Sequence, residues 1–193
     1  MAPGPRATQT IARILSATSQ LLLVRGYAGS TVDEIARVAG VSRASFYTYF
    51  PSKRDALLAL GAAAADGGTE LIRSIADLPS DWTRTDLEGW VARYFAWLDE
   101  RGSFVMAWTQ AAHEDEELRV AGMHGHLVVC RTLGEMLANI GDSQVDDPVA
   151  LGVCASSMIE RAWSYCQLYK GTIDSTSVCR TVARVLESLV RVG

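Results

Sequence analysis

Several features that would indicate a disulfide-linked, secreted or membrane-spanning protein are missing from this chain of 193 residues. Its four cysteines stand singly, without CxxC or other metal-ligand spacing, so we interpret them as small buried apolar residues. Residues 1–5 lack the charged start and apolar run of a secretory signal. No uncharged apolar stretch approaches the roughly 20 residues that a membrane-spanning helix needs. These absences predict a cytoplasmic protein.

Enzyme motifs are also missing from the sequence. There is no Gly-rich phosphate loop, no nucleophile elbow and no Ser/His/Asp constellation. His113 precedes four consecutive acids, residues 114–117, which suit the N-terminal end of a helix through its dipole. His124 and His126 are two residues apart, so on a helix they point away from each other and cannot easily share a metal. We predict no enzymatic activity, no metal and no cofactor, with a small helical enzyme as a remote alternative.

The net charge of −4 conceals an asymmetry along the chain. Residues 1–54, here called the head, contain seven basic and two acidic residues, a net charge of +5. Residues 55–193, here called the body, have a net charge of −9. A basic segment in an acidic protein indicates a partner with many negative charges. The sequence therefore predicts two domains, a head that binds a polyanion and a body with another role.

Apolar residues recur with the helical period of 3.6 residues along almost the whole chain. The alternation of apolar and polar residues that is typical of strands is almost absent, so the sequence predicts an all-α protein. About nine helices are expected. They span about 7–25, 31–39, 42–50, 53–78, 83–100, 103–113, 116–140, 147–170 and 175–191. Gly67 and Gly68 should interrupt the fourth helix as a kink or a break, because each glycine costs roughly 1 kcal/mol relative to alanine inside a helix.

The second and third predicted helices have the signals of a helix-turn-helix. Thr31 and Glu34 have the T-x-x-E spacing of a capping box, which satisfies backbone N–H groups at the start of a helix. Gly40 ends that helix, and Ser42 is a good N-cap for the next. Two short amphipathic helices joined by a turn that contains glycine are typical of this motif. Phe46 and Phe50 should face inward at i,i+4 spacing.

With these phenylalanines in the core, the rest of the third helix is left with hydroxyls and cations on its exposed side. Such side chains hydrogen-bond phosphates and base edges. An ordinary solvated face is the alternative, and the two tyrosines could instead pack on the first helix. The candidate DNA-binding residues are Thr31, Arg43, Ala44, Ser45, Tyr47, Thr48, Tyr49 and Lys53.

The segments 31–36, 39–42, 46–50 and 52–53 together resemble the TetR family of transcriptional regulators, and the resemblance covers about residues 8–60. It implies a homodimer that places one recognition helix per protomer in successive major grooves of a partly palindromic operator. It also implies that Thr31 and Lys53 contact phosphate, that residues 43–45 face base edges, and that Tyr47 and Tyr49 hold the DNA backbone. Arg43 is the best candidate for a contact to guanine. For Thr31 a pure capping role is equally well supported.

The resemblance further implies an effector cavity in the body, and aromatic residues become dense there from residue 82. We predict a pocket for a small hydrophobic or aromatic ligand, since such pockets are lined by aromatic side chains. An ordinary filled core is the alternative. The candidate ligand-binding residues are Trp90, Tyr94, Trp97, Met106, Trp108, Met123, Met136 and Trp163. Gly67 and Gly68 fall in the helix that would connect head and body, where a hinge could let the head move.

The segment 147–170 has two apolar stripes, of which one suffices to pack on the protein's own core. The second stripe indicates a partner, and the resemblance pairs this segment and 175–191 with their copies as a four-helix bundle across a twofold axis. The sequence thus predicts a ligand-responsive repressor that is released from a palindromic operator. A helix-turn-helix activator or a ligand-independent DNA-binding protein is the alternative.

Overall fold

The computed structural model describes residues 4–141 and 145–191, with all their side chains except those of Leu23, Ser103, Met106 and Glu114. Over these ranges the chain forms eight α-helices, one 3₁₀ helix and no strand, which confirms the all-α prediction. The α-helices are α1 (Pro5–Arg25), α2 (Val32–Ala39), α3 (Arg43–Tyr49), α4 (Lys53–Arg73), α5 (Arg84–Glu114), α6 (Glu116–Asn139), α7 (Pro148–Leu168) and α8 (Ser175–Val190). The 3₁₀ helix, Ser74–Asp77, directly follows α4.

The predicted helix ends in the head are confirmed. Gly26 ends α1 with φ of 68°, and Gly40 ends α2 in the left-handed conformation with φ of 62°. Both values lie in a region that favours glycine because it has no Cβ. The Thr31 hydroxyl accepts from the Glu34 backbone N–H, and the Glu34 carboxylate accepts from the Thr31 N–H, which completes the capping box. Ser42 caps α3 by accepting from the Ser45 backbone N–H.

The three helices of the head share one apolar core. Ile14, Ile35 and Phe46 are fully buried in it, and Phe50 is nearly so. The Phe46 and Phe50 ring centroids lie 5.8 Å apart, as expected for residues one helical turn apart. Burying such side chains stabilises a fold by about 1.5–3 kcal/mol each. This core fixes the turn between α2 and α3 and leaves the opposite side of α3 exposed.

One predicted boundary is wrong, because Arg101 and Gly102 do not separate two helices. They lie inside the single helix α5. Gly102 is itself buried, as are Leu98 and Ala107 on its two sides. A glycine costs a helix only about 1 kcal/mol, which burial on both sides outweighs.

No break occurs at Gly67 and Gly68, since α4 continues through both residues and ends at Arg73. The glycines make room for an aromatic ring. A Cβ on Gly68 would lie 3.2 Å from Trp97 Cζ2, and one on Gly67 would lie 3.4 Å from Trp97 Nε1. Their physical role in the structure is therefore close packing against an indole.

The chain divides into two compact units, and each is described by itself. The first compact unit comprises Met1–Ala64 and Arg101–Met123, and the second comprises Ala65–Glu100 and His124–Gly193. Helices α4, α5 and α6 each contribute residues to both units. The predicted functional division into 1–54 and 55–193 follows different boundaries and stays a prediction.

The first compact unit has a second apolar cluster beside the core of the head. Leu22 and Leu57 pack there with Ala107, Ala111 and Leu118, all of them buried. An ion pair lies near this cluster, in which Arg54 Nη2 donates to Asp115 Oδ2 at 2.7 Å. This bond holds the pKa of the Asp115 carboxyl below its usual range. The segment 101–123 is thus part of the same packed unit as the head.

In the second compact unit, α6 and α7 cross with their backbones in contact. A Cβ on Gly152 would lie 1.7 Å from the Cys130 carbonyl oxygen, and one on Gly134 would lie 1.7 Å from that of Pro148. Real Cβ atoms never approach so closely, so only glycine fits at either position. The crossing fixes which residues of α7 face the core.

None of the helices described is long and apolar enough to cross a membrane.

Candidate nucleic-acid interface

Helix α3 presents a row of polar and aromatic side chains opposite its buried face. Arg43, Ala44, Tyr47 and Thr48 are exposed, while Ser45 and Tyr49 are half-buried. The Thr48 hydroxyl donates to the Ala44 carbonyl at 3.0 Å, so one of its hydrogen bonds stays within the helix. The candidate residues of α3 are thus all at least partly exposed, whereas Phe46 of the same helix is buried.

Arg43 is held in place by neighbours on two helices. Its Nη1 lies 2.7 Å from Asp33 Oδ1 and 2.8 Å from Oδ2. The guanidinium carbon lies 5.6 Å from the centroid of the Tyr47 ring, and Nη2 is 3.4 Å from the Tyr47 hydroxyl. The Tyr47 hydrogen bond and the Asp33 charge raise the pKa of Arg43 above its ordinary value. Arg43 is therefore permanently charged and oriented.

The two tyrosines of α3 differ in their surroundings. Tyr47 is 43% exposed, whereas Tyr49 packs against the apolar core of the head. Tyr49 also lines a surface groove of about 760 Å³ together with Ser42, Ser45 and the first residues of α1. Tyr49 is thus only partly accessible at this surface.

Arg13 joins α1 to the turn of the helix-turn-helix, a role that the sequence did not reveal. Its Nε donates to the Ala39 carbonyl at 2.9 Å, and Nη2 donates to that of Gly40 at 2.6 Å. It also lines the groove beside Ser42. Its partners are 26 and 27 residues away, so no local pattern could have indicated the contact.

Lys53 has a structural role in addition to its predicted contact with phosphate. Its ammonium donates to the carbonyls of Tyr27 at 2.6 Å and Ser30 at 2.8 Å, and lies 4.0 Å from the centroid of the Tyr27 ring. Burial lowers its pKa. An ammonium has three donors, so one is left for a phosphate. Thr31, the other predicted phosphate ligand, is exposed and acts as the cap of α2.

Three of the predicted ligand-binding residues form a chain of rings in the second compact unit. Trp90 and Tyr94 meet edge to face with centroids 5.5 Å apart, as do Tyr94 and Trp97 at 5.9 Å. Trp90 and Tyr94 are almost completely buried. Trp163 is buried as well, and its indole donates to Asp99 Oδ1 at 2.8 Å.

Two polar groups lie beside these rings, and one of them lacks a hydrogen-bond partner within the described residues. The indole N–H of Trp97 is buried and has no hydrogen-bond partner there, which is costly for a buried donor. The half-buried carboxyl of Glu160 interacts electrostatically with Tyr94, and burial raises its pKa to about 7. Such groups could orient a bound molecule.

The other predicted ligand-binding residues lie elsewhere or are less buried. Trp108 belongs to the first compact unit, where it packs directly on Gly122. Met123 is 50% exposed, and Met136 is half-buried. The side chain of Met106 lies outside the described residues. The pocket predicted from all eight residues stays a prediction.

Within the described ranges no three His, Cys, Asp or Glu side chains lie close enough together to hold a metal ion.

Comparison with known proteins agrees with the geometry of the head. Residues 14–60 match the family model described as "Bacterial regulatory proteins, tetR family". The HTH-type transcriptional regulator EthR of Mycobacterium tuberculosis is 36% identical over 74 residues, 38% of this chain. That match covers 34% of EthR, so the chain spans about a third of the length of this curated relative.

Solved structures match nearly the whole chain. The fatty acid degradation regulator FadR from Bacillus halodurans superposes with a TM-score of 0.77 and 20% identity, over 97% of both chains. FadR from Bacillus subtilis, solved in complex with stearoyl-CoA, gives a TM-score of 0.70 and 18% identity over 92% of this chain and 97% of that one. At these identities the likeness shows the fold alone.

The fold and the exposed α3 define an all-helical protein with an N-terminal helix-turn-helix. Over residues 14–60 the chain is similar to the TetR family of transcriptional regulators. Its relatives and structural neighbours are regulators and not enzymes.

Proposed function

We propose that the protein is a ligand-responsive transcriptional repressor that binds a palindromic operator through α3. The observation that carries this proposal is the outward row on α3, in which Arg43, Ala44, Tyr47 and Thr48 are exposed above a buried Phe46. These side chains can reach base edges and phosphates in a major groove. The net charge of +5 over residues 1–54 adds attraction for DNA.

Within this proposal the candidate DNA-binding residues have distinct roles. Arg43 reads guanine, Ala44 and Ser45 face bases, and Tyr47, Thr48 and Tyr49 contact the sugar-phosphate backbone. Thr31 and Lys53 contact phosphates at the starts of α2 and α4, in addition to the capping and carbonyl contacts described above. Residues 1–54 serve as the DNA-binding domain and residues 55–193 as the effector-binding and dimerisation domain, and the protein acts in the cytoplasm.

Loss of the Arg43 side chain is expected to weaken sequence-specific binding. Purified protein would capture sheared source-genome DNA at near-physiological salt, and the retained fragments would be sequenced and their affinities measured. Arg43→Ala should reduce affinity for the enriched palindrome by roughly 10- to 100-fold, because a bidentate contact to guanine is worth about 1–3 kcal/mol. As a control, Arg93→Ala removes an equal charge from an exposed position on α5. This variant should change the affinity for the palindrome little.

Diffuse, salt-sensitive retention by the wild-type protein, with no enriched sequence, would contradict the repressor proposal. Enrichment of a palindrome that no small molecule can release would favour the alternative, a ligand-independent DNA-binding protein. Enrichment beside genes that the protein turns on would favour an activator.

The second apolar stripe of α7 supports the proposal of a homodimer. Ile159, Trp163 and Cys166 face the core, while Met158 and Ala162 line an open groove of about 420 Å³ with residues of α8. Other apolar side chains of α7, of its C-terminal end and of α8 are exposed, namely Tyr165, Leu168, Tyr169, Val185 and Leu189. Exposed apolar surface of this kind is typical of an interface.

Light scattering at micromolar concentration is expected to give the mass of two chains. Val185→Arg, in the groove, should shift the mass to that of one chain, because an unpaired charge in an interface costs several kcal/mol. Val128→Arg, at an exposed apolar position of α6 outside the groove, should leave the dimer intact. A wild-type mass equal to one chain would refute the homodimer.

The proposed effector is a small hydrophobic or aromatic molecule bound at the ring cluster of α5. Trp90, Tyr94 and Trp97 supply apolar and aromatic surface, and the Trp97 N–H is a donor without a partner among the described residues. One structural neighbour, FadR from Bacillus subtilis, was solved with stearoyl-CoA, a molecule with a long apolar chain. That precedent supports the class of ligand, and the ring cluster supports its location.

A further inference from the structure

Asp33 is an acid on a surface that is proposed to bind DNA. It is one of two acids among residues 1–54, and the other, Glu34, completes the capping box of α2. A carboxylate there repels phosphates, so it weakens binding to every DNA sequence. Its side chain is 64% exposed and that of Arg43 is 61% exposed. Such exposed pairs add little to stability, so stability does not account for this one.

The geometry of the pair gives Asp33 another role. Both carboxylate oxygens engage the same nitrogen, Arg43 Nη1, at 2.7 and 2.8 Å. The Tyr47 ring lies against the guanidinium, with its centroid 5.6 Å from the guanidinium carbon. A long flexible arginine is thereby fixed between a side chain of α2 and one of α3. Arg43 Nη2 makes only a long contact of 3.4 Å with the Tyr47 hydroxyl. The edge of the guanidinium formed by Nε and Nη2 therefore stays available to a ligand.

We propose that Asp33 is a positioning residue that fixes Arg43 for one base and disfavours DNA that lacks that base. The proposal rests on the proposed function, because it assigns the specificity of the same site. Where guanine is present, the Nε and Nη2 edge of Arg43 can donate to its O6 and N7. Where it is absent, Asp33 keeps Arg43 from turning to a phosphate, so the protein gains no substitute contact.

The test compares base preferences across a randomised duplex library. Wild-type protein and variants are incubated with the library at near-physiological salt, and the bound duplexes are sequenced. Asp33→Asn keeps the size of the side chain and removes its charge, and Asp33→Glu keeps the charge. Asp66→Asn makes the same charge change at an exposed position of α4. Circular dichroism melting confirms that each variant is folded.

Asp33→Asn is expected to reduce the preference for guanine at one position of each half-site by about tenfold, within the range of a bidentate contact. Arg43→Ala should reduce the preference for guanine at the same position. The double variant with Asp33→Asn and Arg43→Ala should show no further reduction of that preference. Asp33→Glu should retain part of the preference, and Asp66→Asn all of it. Binding to arbitrary DNA should become stronger in Asp33→Asn.

Two results would overturn the proposal in different ways. If Asp33→Asn strengthened binding to all duplexes by one factor and left the base preferences unchanged, Asp33 would act through its charge alone. The repressor proposal would then stand. If the wild-type protein showed no preference among sequences, the proposed function and the role of Asp33 would both be wrong.

Discussion

Replacing Gly152 with alanine is expected to lower the free energy of unfolding by about 3 kcal/mol or more, the upper range for an overpacked core. The added Cβ would lie 1.7 Å from the Cys130 carbonyl oxygen and 3.0 Å from the Gly134 backbone nitrogen. Neither atom is at the end of a flexible side chain, so α6 and α7 would have to separate. Urea unfolding followed by circular dichroism measures the loss.

Gly125→Ala is the matched control for this variant. Gly125 also lies inside a helix, α6, but a Cβ there would meet nothing within 4 Å. Alanine should therefore stabilise the protein by about 0.5–1 kcal/mol, the intrinsic difference from glycine within a helix. Equal stability of Gly152→Ala and the wild-type protein would show that the two helices do not cross in contact.

Replacing Glu160 with glutamine is expected to stabilise the protein at alkaline pH and to have little effect in acid. Burial raises the pKa of this carboxyl from 4.5 to about 7. Below pH 4.5 it is protonated in both the folded and the unfolded state. As the pH rises towards 7, the unfolded chain releases its proton before the folded chain does, so folding stability falls. Glutamine has no proton to release and avoids this loss.

The expected gain from Glu160→Gln is about 2–3 kcal/mol at about pH 8.5 and less than about 1 kcal/mol at about pH 5, since a tenfold change in an acid dissociation constant corresponds to about 1.36 kcal/mol. Urea unfolding at both pH values and a fixed protein concentration measures the difference. Glu135→Gln, at an exposed position of α6, should show no such dependence on pH. An equal effect of Glu160→Gln at both pH values would mean that the pKa of the Glu160 carboxyl is not raised in the folded protein.

Local signals predicted the head well because its helix ends are determined within a few residues. Thr31, Gly40 and Ser42 act on backbone groups nearby, and the spacing of Phe46 and Phe50 alone identifies the buried face of α3. In the body, glycine residues were a less reliable signal of where helices end. At Gly102 the cost of glycine in a helix is smaller than the gain from burial around it, so the helix continues.

Contacts between residues distant in the sequence could not be predicted. Lys53 donates to carbonyls that lie 23 and 26 residues before it, and its sequence position indicated only an exposed cation. Arg43 meets Asp33 ten residues away, in a different helix. The close approach of Gly68 to Trp97 likewise depends on the packing of α4 against α5. Each contact requires the three-dimensional arrangement of helices, which local periodicity does not give.

The packing of the first compact unit also limits how this protein could be recombined with its relatives. Leu22 and Leu57 are covered by Ala107, Ala111 and Leu118, and Arg54 is paired with Asp115. In a chimera that exchanged only residues 1–54, the side chain at position 22 would come from another protein. It would have to pack against Leu57 of this protein, although the two had not evolved together. The transferable piece is discontinuous, because it must include residues 101–123. Changes to the proposed operator specificity would thus be better confined to α3, because they leave this cluster intact.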